Sequence, residues 1–346
     1  MRKIIPIFVP HQGCPRRCIF CHQPHITGIP LHASVTPETV RKTIDTALQE
    51  PKSRAKQARF EVAFYGGSFT GLAVTLQARL LRAVQAYVDS GDLTGIRLSS
   101  HPGLFDDAIF ALLNAFSVTT VELGVQSFDD KVLRLAGRGH TAEEAVQTIG
   151  RLQRLSIDVG LHLMIGLPGD SHAKSLDSAR KAVALQPTSV RIHPTLVLRD
   201  TPLETMYRAG QYTPLSLNAA VTTCKDLVKL FRAHHIPVIR IGLQPTPAMG
   251  RTIAAGPFHP ALRQLVDAEL MADQMAELYR HHVFPGKYMT VLVAPQDVST
   301  VRGQKNRNLT RLQQQFDLRD IQIVPDASLP RGEIALGSPA QPPHRP

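Results

Sequence analysis

The chain has 346 residues, of which 43% are hydrophobic and 19% charged, and this balance excludes a wholly disordered protein. No apolar run approaches the roughly 20 residues that a membrane span needs, and the start of the chain, interrupted by Pro6, is too short for a secretory signal. We therefore expect a cytoplasmic protein with no membrane partner. The formal net charge of +11 favours an anionic partner, such as nucleic acid, without identifying one.

Strand-like apolar runs alternate with amphipathic helical stretches along the first two thirds of the chain. This alternation predicts repeated βα units and a parallel sheet. The predicted strands are Ile4 to Val9, Phe60 to Tyr65, Gly95 to Ser99, Thr119 to Gly124, Asp158 to Ile165, Ser189 to Pro194 and a further one at Pro237 to Ile241. The predicted helices are Pro37 to Gln49, Leu72 to Val88, Asp106 to Ala115, Ala142 to Leu155 and Ser171 to Leu185. Six such units predict an α/β fold, a partial (β/α)6 barrel of the TIM type, whose chemistry lies at the C-terminal ends of the strands.

The pattern changes after about residue 242, which predicts a barrel domain over residues 1–242 and a small α/β extension over residues 243–336. Residues 337–346 are Pro-rich and predict a disordered tail. The extension is predicted to hold a helix at Ala261 to Arg280, a strand at Tyr288 to Ala294, a helix at Asn308 to Phe316 and a strand at Ile321 to Val324. The basic segment Arg302 to Arg307, which contains Gly303, resembles the loop by which KH modules clamp a nucleic-acid backbone.

Three of the four cysteines, Cys14, Cys18 and Cys21, form a C-x3-C-x2-C triplet directly after the first predicted strand. Three thiolates on one loop can hold three irons of a [4Fe-4S] cluster and leave the fourth iron open to a substrate or cofactor. The alternative is a structural zinc, for which His11, His22 or His25 would complete a Cys3His site. The fourth cysteine, Cys224, lies in a helical pattern and is predicted to be a core residue.

The triplet, with Phe20 directly before its last cysteine, resembles the motif of the radical S-adenosylmethionine (SAM) superfamily. The Gly66-Gly67 pair after the second predicted strand resembles a SAM-binding segment of the same superfamily. Residues 121–140, which contain Val-Glu-Leu-Gly-Val-Gln-Ser-Phe-Asp and Leu-Ala-Gly-Arg-Gly-His, resemble the corresponding stretch of its Elp3-like and coproporphyrinogen-dehydrogenase-like branch. Residues 163–169 resemble the end of the fifth strand in these proteins.

This resemblance implies an enzyme in which the [4Fe-4S] cluster reductively cleaves SAM to a 5′-deoxyadenosyl radical that abstracts hydrogen from a substrate. An external one-electron reductant is then a required partner. The metal ligands that it implies are Cys14, Cys18 and Cys21. The implied SAM contacts are Gly66 and Gly67 at the amino group, Arg138 at the carboxylate, Gln126 and Glu122 at the ribose or methionine, and Phe20, Met164 and Leu167 near adenine. For Arg138 a surface ion pair, and for Met164 a plain core position, remain the alternatives.

The resemblance leaves three classes of function open. The first is modification of tRNA, as in Elp3-like proteins, although the chain offers no room for their acetyltransferase domain. The net charge, the segment Arg302 to Arg307, and Arg16 and Arg17 beside the cysteines favour RNA, whereas an aromatic fraction of 5% without tryptophan offers few stacking platforms. The second is a radical SAM enzyme for a small molecule or tetrapyrrole, and the third is a non-catalytic iron-sulfur or haem-handling protein. His101 stands where Elp3-like chains often have arginine, so the resemblance does not assign the role of that arginine to His101.

Overall fold

The computed structural model describes residues 2–9, 13–14, 18–22, 26, 35–49, 59–243, 249–284 and 287–337. The chain divides into two compact units, one of Met1–Ser216 with Leu227–Phe258 and one of Leu217–Asp226 with His259–Pro346. The predicted domain limits at residues 242 and 337 stay predictions, and residues 338–346 of the predicted tail lie outside the described residues.

The first unit is built on seven parallel strands. They are β1 (Arg2–Phe8), β2 (Arg59–Tyr65), β3 (Ile96–Ser100), β4 (Val118–Gln126), β5 (Asp158–Ile165), β6 (Ser189–Pro194) and, after a short strand β7 (Val197–Leu198), β8 (Val238–Ile241). The strands lie in the order β1-β2-β3-β4-β5-β6-β8, and every neighbouring pair is parallel. The sheet therefore follows chain order, and the predicted partial barrel of the α/β class is confirmed.

Helices connect these strands. They are α1 (Pro37–Gln49), α2 (Val74–Asp89), α3 (Asp107–Asn114), α4 (Asp130–Leu135), α5 (Ala142–Arg154), α6 (His172–Ala184), α7 (Pro202–Arg208), α8 (Leu217–Ala233) and α9 (Met249–Thr252). A short strand, β9 (Ile253–Ala255), follows α9 and pairs antiparallel with β7. Polar side chains fix their starts: Asp106, Thr141 and Ser171 each accept a hydrogen bond from a backbone amide of the first turn. The short helices α4, α7 and α9 were not predicted.

The two faces of the central strands differ in polarity. On one face, side chains such as Val62, Leu98 and Leu123 are fully buried and form the core. On the other face, which we call the inner face, charged side chains meet one another, among them Arg97 and Glu122. Because side chains alternate along a strand, the apolar residues hold the fold and the polar ones are available for function.

The second unit contains α10 (Leu262–His281), β10 (Tyr288–Val293), α11 (Val298–Arg302), α12 (Arg307–Phe316), β11 (Asp320–Pro325) and β12 (Ile334–Leu336). β10 lies between β11, to which it is parallel, and β12, to which it is antiparallel. Two helices, not the single predicted one, lie between β10 and β11. Gly303, at φ 70°, ends α11 and begins the turn that leads into α12.

None of the helices in the described part of the chain is long and apolar enough to cross a membrane.

Candidate active site

The cysteine loop lies directly against the loop that follows β2. Gly13 has a φ of +75°, and a Cβ there would lie 2.1 Å from the carbonyl oxygen of Ser68. A Cβ at Gly71 would in turn lie 1.9 Å from the carbonyl oxygen of Gly13. Only glycine permits so close a backbone approach. The approach places Cys14 Sγ 3.3 Å from Ser68 Oγ.

The other end of the cysteine loop is tied to two helices. The Ile19 amide donates to the carbonyl of Ala136, just after α4, at 3.2 Å, and the Leu203 amide in α7 donates to the carbonyl of Ile19 at 2.9 Å. The Cys21 amide donates to the Cys18 carbonyl at 3.1 Å. All three cysteines lie outside any disulfide and are partly exposed. The loop thus presents its thiols at the C-terminal edge of the sheet, from a backbone held on both sides.

Arg138 reaches the cysteine loop from the segment after α4. Its Nη1 donates to Cys18 Sγ at 3.0 Å, and its Nη2 donates to the carbonyl of Gly124 at the end of β4. The side chain is 6% exposed, and its Nε has no hydrogen-bond partner. The alternative of a surface ion pair does not apply, because the guanidinium is buried beside a thiol.

Two histidines support the backbone that carries Arg138. His101 Nδ1 accepts from the Gly103 amide at 3.0 Å, so the proton of its neutral ring is assigned to Nε2. Nε2 lies 2.9 Å from the Arg138 carbonyl oxygen and 3.1 Å from His140 Nδ1. Burial, together with the nearby Arg138 and His101, lowers the pKa of His140 to about 3. The pair therefore holds the Arg138 segment through neutral rings.

A cavity of about 300 Å³ opens at this place. It is lined by Cys14, Cys18, Ser68, His101, Leu104 and Arg138. Loops after four different strands therefore contribute to one cavity, as expected for a partial barrel whose chemistry lies at the C-terminal ends of its strands.

Gln126 ends β4 in a strained conformation. Its φ is +70°, which residues other than glycine adopt rarely and at a cost of roughly 1–3 kcal/mol. The pairing of β4 with β5 shifts register between Leu123 and Gln126. Its side-chain Oε1 is buried without a hydrogen-bond partner. A buried amide oxygen without a partner is costly in a protein alone, which makes Gln126 Oε1 a candidate acceptor for a ligand.

Three predicted adenine contacts lie together. Phe20 and Met164 pack against the buried cluster formed by Val132, Ala136 and Leu167. The turn that carries Leu167 is held from two sides: Asp170 accepts from the Gly166 amide at 2.8 Å, and the Tyr212 hydroxyl donates to the Gly166 carbonyl at 2.6 Å. The structure thus builds an apolar wall from the cysteine loop and the end of β5.

The Gly66-Gly67 pair directly follows β2 and precedes Ser68. Gly66 has a φ of +87°, so the chain turns here in a conformation that favours glycine. Next along the chain, Ser68 contacts Cys14. The pair is therefore placed beside the cysteines by its position in the chain.

Glu122, which the resemblance implies as a contact to the ribose or methionine of SAM, lies on the inner face. Both of its carboxylate oxygens have protein partners. Oε1 accepts from Tyr65 at 3.0 Å, Arg97 at 3.1 Å and Arg191 at 2.9 Å. Oε2 lies 2.7 Å from His162 Nε2. Burial by itself would raise the pKa of this carboxyl, but His162, Arg191 and Arg97 outweigh it and lower the pKa to about 2. Glu122 is thus an anion that joins its own strand, β4, to β2, β3, β5 and β6.

The donor set fits a cubane cluster. In the described parts of the chain, no three His, Cys, Asp or Glu side chains converge on a point where one ion could be held. A [4Fe-4S] cluster does not need its ligands to converge on one ion, because each thiolate binds a different iron. Three cysteines outside any disulfide, a cation beside Cys18 and the unpartnered Gln126 Oε1 suit an iron-sulfur cluster with a polar ligand. His11, His25, Arg16 and Arg17 lie outside the described residues.

Several supporting residues were not recognised in the sequence. Buried Gln77 donates from Nε2 to the carbonyls of Thr70 and Leu72 and so fixes the loop after β2. Asp170 and Tyr212 fix the turn after β5. No sequence motif marks them, because each acts through backbone atoms of a remote segment.

Residues 8–182 match the radical SAM superfamily, and residues 187–272 match the radical SAM C-terminal domain. A tRNA uridine(34) acetyltransferase of Dehalococcoides mccartyi (strain CBDB1) is 27% identical over 292 residues, which cover 74% of this chain and 62% of that protein. The heme chaperone HemW of Haemophilus influenzae is 25% identical over 195 residues, which cover 55% and 51%. The solved structure of Methanocaldococcus infernus Elp3 with an N-terminal deletion is similar in fold, with a TM-score of 0.61 at 19% identity, and covers 79% of this chain and 63% of that one. The chain therefore spans less than two thirds of the length of each.

Proposed function

The chain belongs to the radical SAM superfamily, and from this premise we propose that it is an enzyme that generates a 5′-deoxyadenosyl radical and uses it to abstract hydrogen from a substrate. The cofactors of this superfamily are a [4Fe-4S] cluster and SAM. We assign Cys14, Cys18 and Cys21 as the ligands of the cluster. When both cofactors are bound, one electron cleaves the sulfonium of SAM, and an external reductant provides this electron.

The observation that carries this proposal is the meeting of Cys14, Cys18 and Arg138 at one cavity. The thiolates bind iron there, and Arg138 offers its guanidinium to anionic groups, for which its paired N–H donors are suited. Gln126 Oε1 accepts a hydrogen bond from the bound cofactor, and the backbone of Gly66 and Gly67 is open to close approach. Phe20, Met164 and Leu167 exclude water from one side. The protein thus positions the cofactors and shields them, while they carry the reactivity.

The test is to incubate the reconstituted, dithionite-reduced protein with SAM and to measure 5′-deoxyadenosine. We expect its formation in the wild-type protein and in the Cys224→Ala variant. If no 5′-deoxyadenosine forms although iron and sulfide are fully loaded, the enzymatic proposal is wrong. A non-catalytic function in cluster or haem handling would then be favoured, in line with the similarity to the heme chaperone HemW.

For the substrate we propose tRNA. The similarity to a tRNA uridine(34) acetyltransferase and the net charge of +11 support this choice. In the second unit, Lys305 is exposed in the turn between α11 and α12, where Gly303 allows a sharp change of direction, and Arg307 is exposed at the first residue of α12. This turn resembles a clamp for a nucleic-acid backbone. The described cysteines form no disulfide, which suits a reducing compartment, so we propose that the protein acts in the cytoplasm.

The tRNA proposal is tested by binding at several salt concentrations. We expect the Lys305→Ala, Arg307→Ala double variant to bind tRNA more weakly and with a smaller salt slope than the wild type. The matched control replaces Arg79 and Arg82, two exposed arginines on α2, and we expect it to bind like the wild type. Absence of binding at low salt would remove tRNA and leave the small-molecule alternative, a tetrapyrrole included.

A further inference from the structure

Ser68 stands at the start of a helical turn but does not cap it. It precedes the short 3₁₀ helix Phe69–Gly71, with an extended backbone at φ −107° and ψ 99°, and its side chain makes no capping hydrogen bond there. Serine at such a position ordinarily accepts a hydrogen bond from a backbone amide of the first turn, as Ser171 does at the start of α6. The Ser68 hydroxyl therefore serves a contact outside its own turn.

The partner of this hydroxyl is a proposed cluster ligand. Ser68 Oγ lies 3.3 Å from Cys14 Sγ, and both residues line the cavity of the candidate active site. Ser68 is only 5% exposed, so little water competes for the contact. A cysteine that binds a metal is a thiolate without a proton, so its sulfur can only accept. With iron bound at Cys14, the Ser68 hydroxyl is thus the donor of this hydrogen bond.

The backbone that carries Ser68 is held from the core and from the next strand. Phe69 is fully buried and packs on Phe64 of β2, with ring centroids 4.8 Å apart. The hydroxyl of Thr70 hydrogen-bonds to that of Ser100 at the end of β3, and both side chains are buried. These anchors do not involve the cysteine loop. The hydroxyl of Ser68 is therefore presented to Cys14 from a fixed position.

The contact at Cys14 has a counterpart at another cysteine. Arg138 Nη1 donates to Cys18 Sγ from the segment after α4, whereas Ser68 reaches Cys14 from the loop after β2. Hydrogen bonds to the ligand sulfurs are among the features that set the reduction potential of an iron-sulfur cluster. Reduction makes the sulfurs more negative, so a donor stabilises the reduced state more than the oxidised one. The two donors act on different ligands, so mutation can separate their effects.

We propose that Ser68 is a positioning residue for the cluster: its hydroxyl holds the Cys14 sulfur by a hydrogen bond and makes the cluster easier to reduce. This inference rests on the proposed function, which assigns Cys14 as a cluster ligand. The loop that carries Ser68 also carries Gly66 and Gly67, which are proposed to lie at the amino group of SAM. One fixed loop then supports a cluster ligand and a SAM contact together.

The experiment is a redox titration of the reconstituted cluster without SAM, followed by electron paramagnetic resonance. We expect Ser68→Ala to lower the ratio of reduced to oxidised cluster at a fixed solution potential by about three- to tenfold, the change in an equilibrium constant that one ordinary hydrogen bond produces. Ser68→Thr keeps the hydroxyl, and its β-branched side chain suits the extended backbone, so it should titrate like the wild type. The matched control is Ser299→Ala, which changes an exposed serine on α11 and should also leave the ratio unchanged.

A second measurement detects the hydrogen bond itself. Electron-nuclear double resonance of the reduced cluster in H₂O and in D₂O reports the exchangeable protons near its sulfurs. We expect one exchangeable proton of the wild type to be absent from Ser68→Ala and present in Ser68→Thr. A serine that only supported the fold of the loop would leave these signals unchanged.

Three outcomes would overturn the proposal: equal potentials of the wild type and Ser68→Ala, unchanged proton signals, or loss of the cluster from both Ser68 variants. Loss from Ser68→Ala alone, with full loading of Ser68→Thr, would support it, because the hydroxyl is then needed to hold Cys14.

Formation of 5′-deoxyadenosine is measured separately on the wild type. A shifted potential without 5′-deoxyadenosine contradicts the proposed enzymatic activity alone. Formation of 5′-deoxyadenosine with an unshifted potential contradicts the role of Ser68 alone, and a wild type that takes up no cluster contradicts both.

Discussion

Arg138 Nη1 donates a hydrogen bond of 3.0 Å to Cys18 Sγ, so a buried cation contacts a proposed cluster ligand. A positive donor at a cysteine sulfur stabilises the more negative, reduced state of an iron-sulfur cluster. We therefore propose that Arg138 acts on the cluster in addition to the SAM carboxylate contact implied by the resemblance.

We expect Arg138→Gln to shift the reduction potential of the reconstituted cluster to more negative values and to lower activity by about 10–100-fold, as is common when a group that supports metal ligands is lost. A redox titration followed by electron paramagnetic resonance without SAM measures the shift. Arg138→Lys keeps a charge and should show a smaller one. If the potentials of the two variants and the wild type agree, Arg138 acts on SAM alone.

The cysteines provide the most direct test of the metal site. We expect Cys18→Ala to lose the cluster and its brown absorbance, because two thiolates cannot hold it, whereas Cys224→Ala keeps both. Cys224 is fully buried in α8, and burial raises the pKa of its thiol to about 12, so it is a poor metal ligand. Iron and acid-labile sulfide are measured in both variants. Equal iron content, or zinc in place of iron, would contradict the assignment.

Much of the fold could be predicted from the sequence because strand signals are local. Asp158–Ile165 and Ser189–Pro194 were predicted to the residue, since apolar runs bounded by turn residues define them. The cysteine triplet and the Gly66-Gly67 pair were recognised for the same reason, because each motif lies within one short segment of the sequence.

The contacts of Glu122 on the inner face could not be predicted, because its partners come from strands far apart in sequence. Glu122 was interpreted as a SAM contact on its place in a motif, but its partners His162 and Arg191 follow it by 40 and 69 residues. Only the strand register shows that these side chains meet. The same holds for His140, whose partner His101 is 39 residues away.

Glu122 should also control stability at low pH. Its pKa is lowered to about 2 in the folded protein, against an ordinary value of 4.5, so its stabilising effect is full above pH 4.5 and is lost as the pH falls toward 2. We expect Glu122→Gln to cost on the order of 3 kcal/mol at pH 7, because the partners of a buried anion are left unpaired. Thermal unfolding midpoints from pH 7 to pH 3 measure this.

The gap between wild type and Glu122→Gln should shrink below pH 4.5. The control Glu143→Gln changes an exposed glutamate on α5 and should cost less than about 0.5 kcal/mol at every pH. A gap that stays constant with pH would show that folding does not lower the pKa of Glu122.

Gly13 tests whether the close contact of the two loops is needed for the cofactor site. In Gly13→Ala the new Cβ would lie 2.1 Å from the Ser68 carbonyl oxygen, which is backbone and cannot rotate away. The cysteine loop must therefore move, and we expect cluster loading to fall severalfold while the fold is kept. Gly91→Ala is the matched control: its φ of +83° imposes similar backbone strain, but no atom lies within 4 Å of the added Cβ. Its iron content should equal that of the wild type, and equal loading of both variants would show that the contact between Gly13 and Ser68 does not position the cysteines.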